Sequence, residues 1–255
     1  MGVANKIFAV LALFDAQHPV WRMEDLAQQL GLSRATAYRY TKELLDSGLL
    51  HKHPTQGLTL GFRALQLGHC VQQTDPLLCA AGPVLRTLVR HTQHAAVVSV
   101  LMPHGEIVDV LQCDADSAQP WAPGSSRALP QAGAALLQLA FCPPAQQAAL
   151  VRPHLQPQHP LRHWHTWAAC AQELQRLKAC RFLTTTHERG AHLVDAAVPI
   201  FSPDGIALAT LNLVHRAEDA TGLATEAIQH RLAQAAWDIR THLATSAPSA
   251  PAAVD

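Results

Sequence analysis

The sequence predicts an α+β chain of two domains, and two observations carry that reading. Residues 26–45 read LAQQLGLSRATAYRYTKELL, two helical patterns that meet at Gly31-Leu32-Ser33 and run into a short basic hairpin pattern. Beyond Asp75-Pro76 the apolar periodicity follows the order α-β-β-α-α-α-β-β-α, which implies an antiparallel sheet with helices packed on it. At 255 residues the chain is long enough to bury a core in each domain.

From residue 4 to 14, Ile7, Phe8, Val10, Leu11 and Phe14 recur at helical spacing and give a first, scaffolding helix. His18-Pro19-Val20-Trp21-Arg22 is a connector, and Trp21 is read as packing, because aromatics of its size usually bury. Leu26, Ala27 and Leu30 form one face of a short helix. Gly31, having no Cβ, can take the left-handed turn that ends it. Ser33 then caps the next helix by accepting a backbone N–H that would otherwise be orphaned. In that helix Ala37, Leu44 and Leu45, with Tyr40 or Thr41, can face inward, leaving Arg34, Thr36, Tyr38, Arg39 and Lys42 outward. Strand-like runs at 49–53 and 58–60 flank the turn Pro54-Thr55-Gln56-Gly57.

A helix pair joined by a glycine turn is also the pattern of a plain helical hairpin inside a larger core. The basic hairpin that follows favours a winged helix-turn-helix, whose second helix reads the major groove of DNA. Arg34, Thr36 and Tyr38 would then reach base edges, while Ser33, Arg39, Lys42 and the wing residue Lys52, near His51 and His53, hold phosphates. The formal net charge is zero, which excludes a polybasic nucleic-acid coat. DNA binding must rest on a local patch of Lys6, Arg22, Arg34, Arg39, Lys42 and Lys52, offset by Asp15, Glu24, Asp25, Glu43 and Asp46. Such a patch implies modest non-specific affinity and more than one subunit.

After Gly61 a linker helix carrying Phe62, Leu65 and Leu67 runs to about Gln73, where Asp75-Pro76 breaks it. The expected boundaries are 1–62 for the winged domain, 63–75 for the linker helix, 76–243 for the second domain and 244–255 for a disordered tail. The second domain opens with a helix at about 77–91. A hairpin follows, 95–102 and 106–112 around Pro103-His104-Gly105, with Ile107, Asp109 and Leu111 alternating against Val108 and Val110. Residues 113–130 read as irregular, 132–141 as a buried helix, Pro143-Pro144 as the start of another, and 153–165 as a Pro- and His-rich loop. An amphipathic helix at 166–180 uses Trp167, Cys170, Leu174 and Leu177. Strands at 193–201 and 206–214 flank Ser202-Pro203-Asp204-Gly205, and a last helix covers about 221–243.

These residues bring a family into view. GLSRATAYRYTKELLDSGLL followed by LTLGFRALQLG resembles the winged-helix domain of IclR-type transcriptional regulators, with Ser33, Arg39 and Leu58-Thr59-Leu60-Gly61 in the family's places. The resemblance continues, more weakly, to about residue 243 and implies a GAF-like effector-binding domain. One family landmark corresponds to Gly124-Ser125-Ser126-Arg127-Ala128-Leu129 and Gly133-Ala134-Ala135-Leu136-Leu137, with Ala134 where Lys is usual. The other corresponds to the segment from Glu188 to Pro199, with His192 at a usual Gly and Asp195 where Cys, Ser or Ala is common. The resemblance places Ser125, Ser126, Arg127, Leu129, His192, Asp195 and Ala197 around an effector. It implies a homodimer or dimer of dimers on an inverted-repeat operator, sensing a small organic metabolite, by default an aromatic or carboxylic acid.

Asp195 shares a strand face with Leu193 and Ala197, where an isolated carboxylate is expensive to bury. It is either a pocket acid gripping a ligand donor or a cation such as Arg127, with His187 or His192 at the rim, or a solvated or structurally paired strand-end acid. An amine-bearing or neutral effector would suit it. Arg127 is either a fork for a carboxylate effector or a surface residue. None of the sixteen histidines combines with Cys or Asp at a closed metal-site spacing, the His159/His163/His165 loop included. No nucleophile elbow, phosphate loop, dinucleotide fingerprint or zinc-protease motif is present, so neither catalysis nor a cofactor is expected. Six scattered cysteines without a C-x-x-C pair suit a reducing compartment. No apolar run nears the ~18 residues a membrane span needs, and a cytoplasmic protein is expected. A constitutive DNA-bound regulator with a vestigial pocket, and an enzyme with an appended helical domain, stay open as alternatives.

Overall fold

A computed structural model describes residues 3–53, 57–114, 123–129, 133–159, 162–186, 193–216 and 225–246. The wing turn Pro54-Thr55-Gln56, Trp121, His187, His192 and the tail from 247 on lie outside the described residues. The chain divides into two compact units, 1–74 and 75–255.

The first unit holds α1 (Val3–Leu11), α2 (Met23–Gln29), α3 (Arg34–Asp46), the hairpin β1 (Leu50–His53) and β2 (Gly57–Leu60), and α4 (Arg63–Thr74). Helix α1 ends before Phe14, but Phe14 still closes the core with Val10, Leu26, Ala27, Ala37, Tyr40, Leu44, Leu50 and Leu58. Gly31 takes φ +61°, and the Leu32 amide reaches back to the Ala27 carbonyl at 2.8 Å, which closes α2 with a left-handed turn. Trp21 packs against this core. Its indole Nε1 donates to the Leu13 carbonyl at 2.9 Å while its backbone bridges Leu58 of β2, fixing the wing to the connector. Helix α4 buries none of its residues, and Leu65, Leu67 and Val71, with Phe62 just before it, stand exposed.

The second unit is a six-stranded antiparallel sheet between helices. Its elements are α5 (Pro76–Thr92), β3 (Ala95–Leu101), β4 (Glu106–Cys113), β5 (Ser126–Ala128), α6 (Gly133–Leu139), α7 (Pro144–Val151), α8 (Trp167–Cys180), β6 (Leu183–Thr186), β7 (Leu193–Phe201), β8 (Ala207–Arg216) and α9 (Thr225–Ser246). The strand order is β5-β4-β3-β8-β7-β6. Asp75 caps α5 by accepting from the Leu78 amide at 3.1 Å, with Pro76 in the first turn where its missing N–H costs nothing. Thr166 caps α8 in the same way.

Strand alternation sorts the side chains. Ala96, Val98, Ala196, Val198, Ile200, Ala209, Leu211 and Leu213 face α5 and α9 in the larger core. Ile107 and Ala197 face the other way, into a second core with α6, α8 and the fully buried Trp164.

Three details depart from the sequence expectation. Ser126–Ala128, within a stretch expected to be irregular, pairs with β4, and Leu183–Thr186 pairs with β7, so the sheet gains an edge strand on each side. The Pro- and His-rich loop contains two short 3-10 turns, Arg152–His154 and Arg162–Trp164. The alternation expected along β4 breaks after Asp109. Val98 pairs with Leu111 but Ser99 with Asp109, so Val110 is a bulge residue. Val110 and Leu111 therefore both join the α5/α9 side, and Gln112, opposite Val97, returns to the face of Asp109.

Candidate functional site

Two surfaces carry candidate functional chemistry, one in each unit. In the first, Ala37, Tyr40, Thr41 and Leu44 bury one face of α3. Thr41 remains tolerable at a buried position because its hydroxyl donates to the Ala37 carbonyl at 2.9 Å. The Ser33 hydroxyl accepts from the Thr36 amide at 3.3 Å and contacts the Thr36 hydroxyl at 2.9 Å, so Ser33 and half-buried Thr36 fix the start of the helix. Arg34, Tyr38, Arg39 and Lys42 are exposed. Arg34 rests on Glu24 of α2 at 2.8 Å, an exposed pair of little stability value, and the Arg39 guanidinium sits 5.2 Å from the Tyr40 ring centroid. Lys52 is exposed in the middle of β1, opposite Leu58.

In the second unit, a band of polar residues crosses the sheet face that bears Ile107 and Ala197. Asp109 of β4 is 1% exposed. Its Oδ1 accepts from Arg127 Nη2 of β5 at 2.7 Å and from the Ser99 hydroxyl of β3 at 2.7 Å. Asn212 of β8 donates to Ser99 Oγ at 2.9 Å and to the Val97 carbonyl at 3.2 Å, and the Thr210 hydroxyl donates to the Ser99 carbonyl at 3.4 Å. Asp195 of β7 is buried on the same face, in register with Val214 of β8 and Thr185 of β6. Burial pushes its carboxyl up to about 7, with nearby Arg127 pulling it down and Asp109 raising it further. Asp195 Oδ1, Asp109 Oδ2 and Asn212 Oδ1 have no hydrogen-bond partner among the described residues. Beside the band lies a small apolar cluster of Ala95, Val97, Leu193 and Val214.

This arrangement places the sequence candidates. Arg127, Asp195 and Ala197 share the polar face, and Leu129 lies buried in the adjoining core. Ser125 is half-buried beside them, its carbonyl accepting from the Asp109 amide at 2.9 Å. Ser126 alternates outward from Arg127 and is exposed. His192 lies outside the described residues. Ser99, Asn212 and Thr210 were missed. The signal was available, since Thr210 and Asn212 are polar at a spacing of two within an otherwise apolar strand.

The raised Asp195 fixes the sign of a pH effect. Unfolded, the carboxyl ionises near 3.8; folded, it holds its proton to about 7. Its contribution is therefore full below about pH 4 and is lost as pH climbs to about 7. Asp195→Asn is expected to leave stability at low pH unchanged and to raise it at pH 8, by on the order of a few kcal/mol. Urea unfolding of both proteins across that range measures the difference, and parallel pH profiles would contradict the assignment.

Comparison with known structures places this fold. The chain superimposes on a putative IclR transcriptional regulator from Silicibacter sp. TM1040 with TM-score 0.81 at 21% identity, covering 95% of this chain and 96% of that one. An IclR homologue from Microbacterium hydrocarbonoxydans, in complex with 4-hydroxybenzoate, gives TM-score 0.76 at 20% identity over 96% and 100% of the two chains. The Thermotoga maritima IclR gives 0.62 at 18% identity over 94% and 98%. The family model of the IclR helix-turn-helix domain matches residues 3–54. The helix-turn-helix region thus matches the IclR family's model, and the chain as a whole shares the fold of these IclR structures. No match was found among curated proteins. The helix-turn-helix match spans α1 through β1, and among the described residues no helix is long and apolar enough to cross a membrane.

Proposed function

We propose that the protein binds an inverted-repeat operator as a dimer, or as a dimer of dimers, and releases or re-spaces its DNA-binding heads when a small organic molecule occupies the polar face of the sheet. The observation that carries this reading is α3, anchored by Ala37, Tyr40, Thr41 and Leu44 while Arg34, Tyr38, Arg39 and Lys42 stay exposed. Arg34, Thr36 and Tyr38 are assigned to base edges, and Ser33, Arg39, Lys42 and Lys52 to phosphates. Arg34 must leave Glu24 to do so, a small cost for an exposed pair.

The exposed apolar side chains of α4 support a dimer, because a helix with no buried residue gains from covering Leu65, Leu67 and Val71 against a second copy. The effector acts through its differential affinity for the two spacings of the heads. The Microbacterium relative holds 4-hydroxybenzoate, which supports a small organic ligand on this fold and keeps an aromatic or carboxylic acid as the family-based expectation. The protein acts by binding rather than catalysis, in the cytoplasm where its DNA lies.

The test is binding to the DNA upstream of its own gene at two salt concentrations, with footprinting. A footprint over two half-sites is expected. Arg39→Ala with Lys42→Ala should weaken binding by about tenfold or more and lower the salt slope by about two. Unchanged affinity and slope in the double variant would remove α3 from the assignment.

A further inference from the structure

Oxygens that accept are left over among the buried polar atoms of the Asp109–Asp195 face. Asp195 Oδ1, Asp109 Oδ2 and Asn212 Oδ1 belong to side chains that are 4%, 1% and 2% exposed, and none meets a donor among the described residues. The orientation of Asn212 is fixed by its own bonds. Its Nδ2 is spent on Ser99 Oγ and the Val97 carbonyl, so the oxygen faces away from the network. A buried acceptor without a donor is costly, and three on one face ask for a common answer.

The charges point the same way. The Arg127 guanidinium already lies 2.7 Å from Asp109, with both side chains largely shielded from water. One cation therefore faces two carboxylates on this side of the sheet. A carboxylate ligand would bring a third negative charge to one arginine, whereas a ligand cation would make two and two. The cation is organic rather than metallic, because no group of three or more His, Cys, Asp and Glu side chains among the described residues is arranged to hold a metal ion.

Resting on the reading that this face holds the effector, we propose that the effector is an amine, its alkylammonium head donating to Asp195, Asp109 and Asn212. Its apolar part lies along Ala95, Val97, Leu193 and Val214, which flank Asp195 on the sheet. The ammonium supplies three donors from one atom, matching three acceptors.

Calorimetric titration of the full chain with charge-matched trios tests this. One trio is tyramine, tyrosol and 4-hydroxyphenylacetate, and a smaller one is butylamine, 1-butanol and butyrate. At pH 8 at least one amine is expected to bind about tenfold or more tighter than its carboxylate and alcohol counterparts. Asp195→Asn should erase that preference. On the unaltered protein, which avoids any folding defect of the variant, amine affinity should rise between about pH 6 and pH 8 as Asp195 ionises against Arg127 and Asp109, the charged groups set near it.

A carboxylate that binds as tightly as its amine, an alcohol that equals it at pH 8, or no amine binding at all overturns the proposal. Carboxylate binding that tightens in Asp195→Asn would overturn the amine yet keep this face as the effector site. Carboxylate binding indifferent to that substitution would remove the face itself.

Discussion

Arg127→Ala is expected to destabilise the second unit by about 3–5 kcal/mol at neutral pH, the usual cost of leaving one partner of a buried pair behind. The remaining carboxylate, Asp109, is 1% exposed and, among the described residues, would keep the Ser99 hydroxyl as its one side-chain donor. The sheet cannot relieve it, because Asp109 lies between the bulge at Val110 and the paired residues Val108 and Ile107. Urea unfolding of the variant and the unaltered protein at neutral pH measures the loss. A loss under about 1 kcal/mol would mean that the pair is effectively solvated.

Gly61→Ala is expected to be the most damaging single-methyl change in the first unit. A Cβ at Gly61 would lie 2.0 Å from the carbonyl oxygen of Gly48 and 2.8 Å from its carbon. Both are main-chain atoms, so no side-chain rotation provides relief. The Gly61 amide also donates to Leu49 at 2.8 Å, and the Arg63 amide to Gly48 at 3.3 Å, which pins the exit of α3 to the start of α4. Separating them should cost about 3 kcal/mol, at the upper end for overpacking. Gly31→Ala is the useful contrast. Its Cβ meets open space, and only the left-handed backbone at φ +61° is strained, worth roughly 1–2 kcal/mol. Thermal unfolding of the two variants ranks them, and an equal effect would show that the Gly48–Gly61 approach relaxes freely.

Features decided locally were legible in the sequence. The left-handed Gly31, the Ser33 cap and the buried side of α3 follow from residues within one or two turns of each other. The strand β7 was readable to its ends, because Leu193–Phe201 is an apolar run closed by Ser202-Pro203-Asp204-Gly205. Features decided by pairing were not. Ser126-Arg127-Ala128 carries no strand pattern of its own and is extended because the open edge of β4 needs partners. The bulge at Val110 is equally silent, since an uninterrupted alternation describes residues 106–112 just as well. In the candidate site, Asp195 was conspicuous as a lone acid in an apolar strand, and Arg127 through its position in the family pattern. The network that joins Asp109 to Asn212 through Ser99 was hidden, because Asn212 lies 113 residues beyond Ser99, far from the hairpin that carries Ser99 and Asp109.

That extra residue in β4 lets the floor of the sheet absorb a change of length without a change of face. With Val110 present, Asp109 and Gln112 look the same way across β3. Deleting it would leave Asp109 opposite Ser99 and Leu111 opposite Val98, a regular alternation in which Asp109 and Gln112 keep their faces. Flattening the bulge with Val110 retained would instead turn the end of the strand over and set the neighbouring leucine where the amide stands. The bulge thus separates the length of this strand from the chemistry it presents to a bound molecule.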